Sequence, residues 1–231
     1  GFTFIPAGSA AEAAEKTQEL YRASVDAFGE DKVQVLTPYR KKGDASVDAL
    51  NERLWEMVNP KAEGKPEIRS GKRTFRLGDR IIHNKNKNQI SNGDIGCIKN
   101  IYVDDEGTEL AELEFSDGRR VEYNSDELEM VEHAYATTVH KSQGSEYPMV
   151  ILPWLPMFYK MLRRNIFYTA VTRAKAQVAI IGSKKAICTA IHNTECDRRN
   201  TRLGSASSGS ITGCWRKRKT RKKMPDTGRK S

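Results

Sequence analysis

The chain has little of what several protein classes require. It has four cysteines in 231 residues, at 97, 188, 196 and 214, and no Cys-x-x-Cys pair. That excludes a zinc ribbon and a thioredoxin-type site. Cys188, His192 and Cys196 fall four apart, but a fourth ligand exists only as Cys214 in the tail, and a structural zinc site needs four fixed ligands. No metal site is expected, and the thiols read as reduced and intracellular. No apolar run approaches the ~20 residues of a bilayer span, so no membrane segment is expected. The opening GFTFIPAGSA lacks the basic n-region of a secretory signal, and the expected location is cytoplasmic. The phosphate-cradling loop Gly-x-x-x-x-Gly-Lys-[Ser/Thr] is also missing: Gly64-Lys65 runs into Pro66 and Gly71-Lys72 into Arg73. Asp126-Glu127-Leu128-Glu129 has the letters of a metal-binding acid pair but follows Tyr-Asn-Ser rather than an apolar strand.

A single sign of charge is scarce everywhere except at one end. The net charge is +9, yet nine of the 39 basic residues and one of the 30 acids lie in 204–231, leaving 1–203 nearly balanced. With 30% charged residues and a mean hydropathy of −0.66, the chain has large solvated faces. The strongly basic tail follows the linker-like GSASSGS and is expected to be disordered.

Periodicity divides the remainder. Phe2–Ile5 reads as a strand, 10–28 as a helix, Lys32–Thr37 as a buried strand and 47–58 as a helix capped by Asp44 or Ser46. Lys61–Lys72, polar and rich in Lys, Gly and Pro, reads as a boundary. From Phe75 to about Met130 the period becomes two, with turn signals at Asn92-Gly93, Asp104–Gly107 and Asp117-Gly118. Tyr135–Val139 then reads as a strand edge, Met149–Leu152 as a strand, Phe158–Ala174 as a helix and Gln177–Ile181 as a strand. Ser183 is placed to cap a last helix. The expected fold class is α/β: a parallel-sheet domain interrupted by a small antiparallel barrel. The expected parts are 1–72 and 132–203 for the main domain, 73–131 for the insert and 204–231 for the tail.

Two segments do not look like scaffold. Ala134–Tyr147, AYATTVHKSQGSEY, packs hydroxyls, His140, Lys141, Gln143 and Glu146 into a loop after a strand, where open α/β sheets bind ligands. Arg163–Lys175, RRNIFYTAVTRAK, buries an apolar face and leaves Arg173 just before a strand; a guanidinium there suits oxyanions. A solvated loop and a solvated basic helix face are the plain alternatives.

Together, YATTVHKSQGSEYPMVIL and RNIFYTAVTRAKAQVAIIG resemble the C-terminal half of superfamily 1 DNA helicases of the RecD/TraA type. VQVLTPYRKKGDASVDALNERL resembles that family's motif IV region, and FRLGDRIIHNKNKNQISNGDIGCI the start of its inserted SH3-like barrel. The resemblance covers about residues 1–185. It implies a second RecA-like domain of an ATP-dependent helicase that moves 5′ to 3′ on single-stranded DNA. Motif V would place Thr138, His140 and Gln143 on the DNA strand, with Gly144 and Glu146 toward the nucleotide. Motif VI, Tyr168, Thr169, Thr172 and Arg173, would add Thr169 to the strand, Thr172 to the nucleotide and Arg173 as an arginine finger. Motif IV would make Arg40 a second phosphate contact and put Tyr39 near the base. ATP and Mg²⁺ would be shared with an N-terminal RecA-like domain bearing the phosphate loop, and this chain alone is expected to be inactive. The rival expectation is a non-catalytic nucleic-acid-binding or interaction module derived from such a helicase.

Overall fold

Ser9 starts the first helix by accepting a hydrogen bond from the Glu12 N–H at 3.1 Å, while the Glu12 carboxylate accepts from the Gly8 N–H at 2.7 Å. This reciprocal arrangement is a close relative of the capping box. The computed structural model describes residues 1–87 and 90–194. The expected disorder of the basic tail, together with Cys196 and Cys214, lies outside the described residues. No helix among the described residues is long and apolar enough to cross a membrane.

Five strands form one sheet: β1 (Phe2–Pro6), β2 (Val33–Thr37), β10 (Ala136–Thr138), β11 (Tyr147–Trp154) and β12 (Ala174–Gly182). They lie in the order β1-β12-β11-β2-β10, and every pairing is parallel. Both faces of this sheet are covered, so VQVLT and MVILPW are buried at every position rather than at alternate ones. Helices α1 (Ala10–Phe28) and α2 (Val47–Val58) pack on this core through Ala13, Ala14, Tyr21, Leu50 and Leu54. Ser46 is the N-cap residue of α2, but its side chain makes no cap bond; the carbonyls of Tyr39 and Arg40 take the N–H groups of Val47 and Asp48 at 3.0 Å. Asn51 covers the sheet's edge, its amide exchanging both hydrogen bonds with the backbone of Ala136 (2.9 and 2.8 Å).

Two expectations are corrected. Phe158–Ala174 is not one helix: a 3-10 segment at Pro156–Met161 gives way to extended backbone at Arg163, and α3 spans Arg164–Val171. The buried Phe158, Leu162, Ile166 and Ala170 keep a four-residue spacing that two short segments on one core satisfy as well as a continuous helix. Lys61–Lys72 is not merely a boundary. It contains β3 (Glu67–Ser70), which turns at Gly71 into β4 (Arg73–Arg76) and pairs Ile68 with Phe75. With one large apolar residue in twelve, the stretch carries no period for a sequence reading to detect. The final helix, α4 (Lys184–His192), follows Ser183, which makes no side-chain cap bond.

The inserted segment forms a second sheet in the order β8-β7-β6-β5-β9, all antiparallel: β5 (Arg80–His83), β6 (Ile95–Val103), β7 (Glu109–Phe115), β8 (Arg120–Asn124) and β9 (Val131–His133). It has its own apolar cluster, to which Ile68 contributes from ahead of residue 73. The Asp126–Glu129 run lies at a 3-10 turn, Glu127–Met130, where Glu127 pairs with Lys87 at 2.5 Å.

Buried polar groups join the two sheets. Arg80 reaches from β5 into the main domain, donating to the carbonyls of Glu30 and Val33 (2.7 and 2.8 Å) and to Gln34 Oε1 at 3.0 Å. Asp79 is fully buried and accepts from Trp55 Nε1, Asn59 Nδ2, the Arg76 N–H and Tyr135 OH at 2.8, 2.5, 2.7 and 3.2 Å. His133 Nε2 lies 3.2 Å from the same carboxylate. Both carboxylate oxygens thus have hydrogen-bond donors, as buried polar groups require.

Candidate functional site

The polar run between β10 and β11 is a succession of turns held by its own hydroxyls. Thr138 Oγ1 accepts from the Lys141 N–H at 3.2 Å, and Ser142 Oγ donates to the Val139 carbonyl at 2.8 Å. The Gln143 N–H closes onto the His140 carbonyl at 3.3 Å and Ser145 onto Ser142 at 3.1 Å. Thr138 and Ser142 therefore shape the loop, which leaves His140, Gln143, Gly144 and Glu146 exposed. Gly144 takes φ +89°, a conformation that favours glycine. Glu146 pairs with Lys175 at 3.1 Å, with both side chains more than half exposed.

Arg173 sits between α3 and β12, half-buried, and grips the end of this loop. Its Nη1 donates to the Ser145 carbonyl at 3.0 Å, its Nε to the Thr169 carbonyl at 3.2 Å and its Nη2 to Thr172 Oγ1 at 3.3 Å. All three acceptors are neutral oxygens, so the positive charge is positioned without being cancelled. Thr169 and Thr172 bond back to Asn165 and Thr169 carbonyls at 2.8 and 3.0 Å, and Tyr168 stands 69% exposed. Tyr147, beside Arg173, has its phenol pKa raised by burial, against the opposing influence of Ser145 and Arg173.

Arg40 is placed differently. Its guanidinium pairs with Glu132 of β9 and lies 3.7 Å from Asp48. Glu132 also receives Arg73 at 2.9 Å and Lys141 at 3.4 Å. Burial raises the Glu132 pKa, but Lys141, Arg40 and Arg73 together outweigh it and hold it below the ordinary value. Tyr39 packs on Phe158 with ring centroids 5.3 Å apart, and its hydroxyl is buried without a partner.

The register separates the two arginines. Val35 of β2 and Ala179 of β12 both stand level with Ile151. Arg40 follows the C-terminal end of β2 and Arg173 precedes the N-terminal end of β12. The ends of those strands are roughly 20 Å apart along the strand direction at about 3.3 Å per residue. Thr138 and Lys141 share the Arg40 end, whereas Ser145 and Glu146 share the Arg173 end. Parallel strands carry Arg40 and Arg173 to opposite edges of the sheet, so this domain by itself does not bring the two together. Glu132, which gathers three cations, was not legible in the sequence because its partners lie 9 to 92 residues away. Among the described residues no three His, Cys, Asp or Glu side chains converge as metal ligands.

The parallel sheet thus carries a turn-built polar loop clamped by Arg173, with the antiparallel insert docked beside it. Residues 133–181 match the UvrD-like helicase C-terminal domain, and residues 50–115 match the ATP-dependent RecD-like DNA helicase SH3 domain. The chain fits the C-terminal part of a RecD-like helicase. It is 39% identical over 160 residues to an ATP-dependent RecD2 DNA helicase of Deinococcus radiodurans, covering 68% of this chain and 21% of that protein. It is 30% identical over 169 residues to the RecBCD enzyme subunit RecD of Mycolicibacterium smegmatis, covering 70% of this chain and 27% of that one. The chain thus spans about a fifth to a quarter of these relatives. A solved Pif1 helicase from Candida albicans superposes with a TM-score of 0.43 at 14% identity, over 75% of this chain and 56% of that one.

Proposed function

We propose that this chain is the C-terminal motor domain, with its SH3-like barrel, of an ATP-dependent 5′–3′ DNA helicase. The observation that carries the reading is Arg173: a cation held by three neutral oxygens, one of them in the motif V loop. In this reading Thr138, His140, Gln143 and Thr169 face single-stranded DNA. Gly144, Glu146 and Thr172 face the nucleotide side, beside Arg173.

The donor set fits one share of a nucleotide site. Arg173 is a planar, multi-donor cation suited to a phosphoryl oxygen, and the described residues offer no carboxylate cluster for Mg²⁺. In this reading ATP and Mg²⁺, which would supply the phosphoryl group and its charge neutralisation, are shared with a separate N-terminal RecA-like domain. Arg173 contributes a positive charge directed at charge that develops during phosphoryl transfer. Because the same guanidinium holds Ser145, the nucleotide's presence would be felt by the loop that grips DNA. Arg40, at the far end of that loop, shares Glu132 with Lys141, and its phosphate contact would be made from that edge.

The test is a chimera in which this chain replaces the matching segment of the Deinococcus radiodurans relative. Single-stranded DNA should stimulate its ATPase, and the isolated chain should show none above background. A folded chimera that binds DNA without hydrolysing ATP would favour the non-catalytic module.

A further inference from the structure

The proposed strand-binding loop leaves the neighbouring strand ends without a role. β11, β2 and β10 end side by side, and ligands of open α/β sheets bind beyond such C-terminal ends. Past β11 comes the 3-10 segment Pro156–Met161; past β2 comes the loop carrying Tyr39–Lys42. On the first stands Tyr159, 59% exposed, between the buried Phe158 and, three residues on, the buried Leu162. The ring is thus presented from a fixed base.

Two lysines from different elements flank it. Lys42 Nζ lies 5.3 Å from the Tyr159 ring centre and 5.5 Å from that of Tyr39, and Lys160 Nζ lies 5.9 Å from Tyr159. The loop carrying Lys42 is pressed against the segment carrying Tyr159. A Cβ on Gly43, whose φ is +76°, would lie 2.7 Å from Met157 Cε. An exposed aromatic face with adjacent ammonium groups is the combination that binds single strands: the ring takes a base and the cations take phosphates.

We propose that Tyr159 stacks a nucleobase and Lys42 contacts the adjoining phosphate, extending the strand-binding surface from Thr138 across the end of β2 to the end of β11. The proposal rests on the strand-binding reading above and adds two residues to it. Stacking of this kind is tolerant of sequence, because every base has a π face.

The experiment measures binding of the full chain to a labelled oligothymidylate and to an abasic strand of equal length, across salt concentrations. The intact chain should prefer the strand with bases. Tyr159→Ala should weaken oligothymidylate binding about tenfold and abolish that preference, while Tyr159→Phe should keep both. Lys42→Ala should weaken both strands and reduce the salt slope by about one. If Tyr159→Ala binds like the intact chain while His140→Ala binds poorly, this proposal falls and the strand-binding reading stands. An intact chain that binds neither strand overturns both. Thermal melts of the exposed-site variants should match the intact chain.

Discussion

Arg173 Nη1 and the Ser145 carbonyl oxygen, 3.0 Å apart and 28 residues apart in sequence, tie the residue before β12 to the end of the loop that follows β10. The arginine is therefore not a free arm. It is one wall of the loop that the strand-binding reading places against DNA, and changes at either partner should reach the other.

Replacing Arg173 tests this directly. In the chimera, Arg173→Ala should lower ATP turnover by about 10³-fold or more, the range of arginine fingers in related phosphoryl transfer. It should also cost about 1–2 kcal/mol of stability through the lost charged hydrogen bonds, and loosen DNA binding. Arg173→Lys keeps the charge but loses the fork that spans Ser145, Thr169 and Thr172. It should be impaired in turnover nearly as much and in stability less. Steady-state ATPase, thermal melts and DNA titrations separate the three effects; near-normal turnover in soluble Arg173→Ala would remove the finger assignment.

Asp79 joins the insert to the main sheet. Asp79→Ala would leave Trp55 Nε1, the Asn59 amide and Tyr135 OH facing an empty acceptor position. Unsatisfied buried donors cost about 1–3 kcal/mol each, so a loss of about 3 kcal/mol or more is expected. Urea unfolding followed by tryptophan fluorescence and by far-UV circular dichroism should coincide for the intact chain. In the variant the midpoint should fall and the two probes should diverge as the insert detaches. Coincident transitions at an unchanged midpoint would contradict this.

Glu132 gives the chain an acid-sensitive clasp. Burial alone would raise its pKa, but the surrounding Lys141, Arg40 and Arg73 depress it. A carboxylate whose folded pKa lies below its unfolded one contributes stability above the unfolded value, and loses it as pH falls through the folded value. The contribution should be intact at neutral pH and disappear below the ordinary glutamate range, near ~4.3 and lower. Glu132→Gln should be less stable at pH 7 and show a shallower loss on acidification. Melting temperature against pH for the two proteins reads this out; parallel curves would exclude the clasp.

The basic run from Arg216 to Lys223 should add binding that is indifferent to nucleic-acid sequence and strongly salt-dependent, by counterion release. A chain ending at Leu203 should show a smaller slope of log affinity against log salt. Equal slopes would take the tail out of DNA binding.

Much of this molecule is written locally. Val33–Thr37, Arg80–His83 and Ala10–Phe28 follow from apolar periodicity and from the caps at Ser9 and Gly29, because strand and helix repeats act over a few residues. The motif runs around His140–Gly144 and Tyr168–Arg173 are contiguous, so they too were legible, as was the resemblance they carry. The order of the strands decided the rest. It put Arg40 and Arg173 at opposite ends of a parallel sheet. It brought Arg40, Arg73 and Lys141 onto Glu132, and Trp55, Asn59, Arg76 and Tyr135 onto Asp79. It also brought Lys42 beside Tyr159. A side chain's partners across a fold depend on register and crossover, which no local pattern encodes. The residue types were therefore set by the sequence, while the charges they meet, and hence what each can do, were set by the tertiary structure.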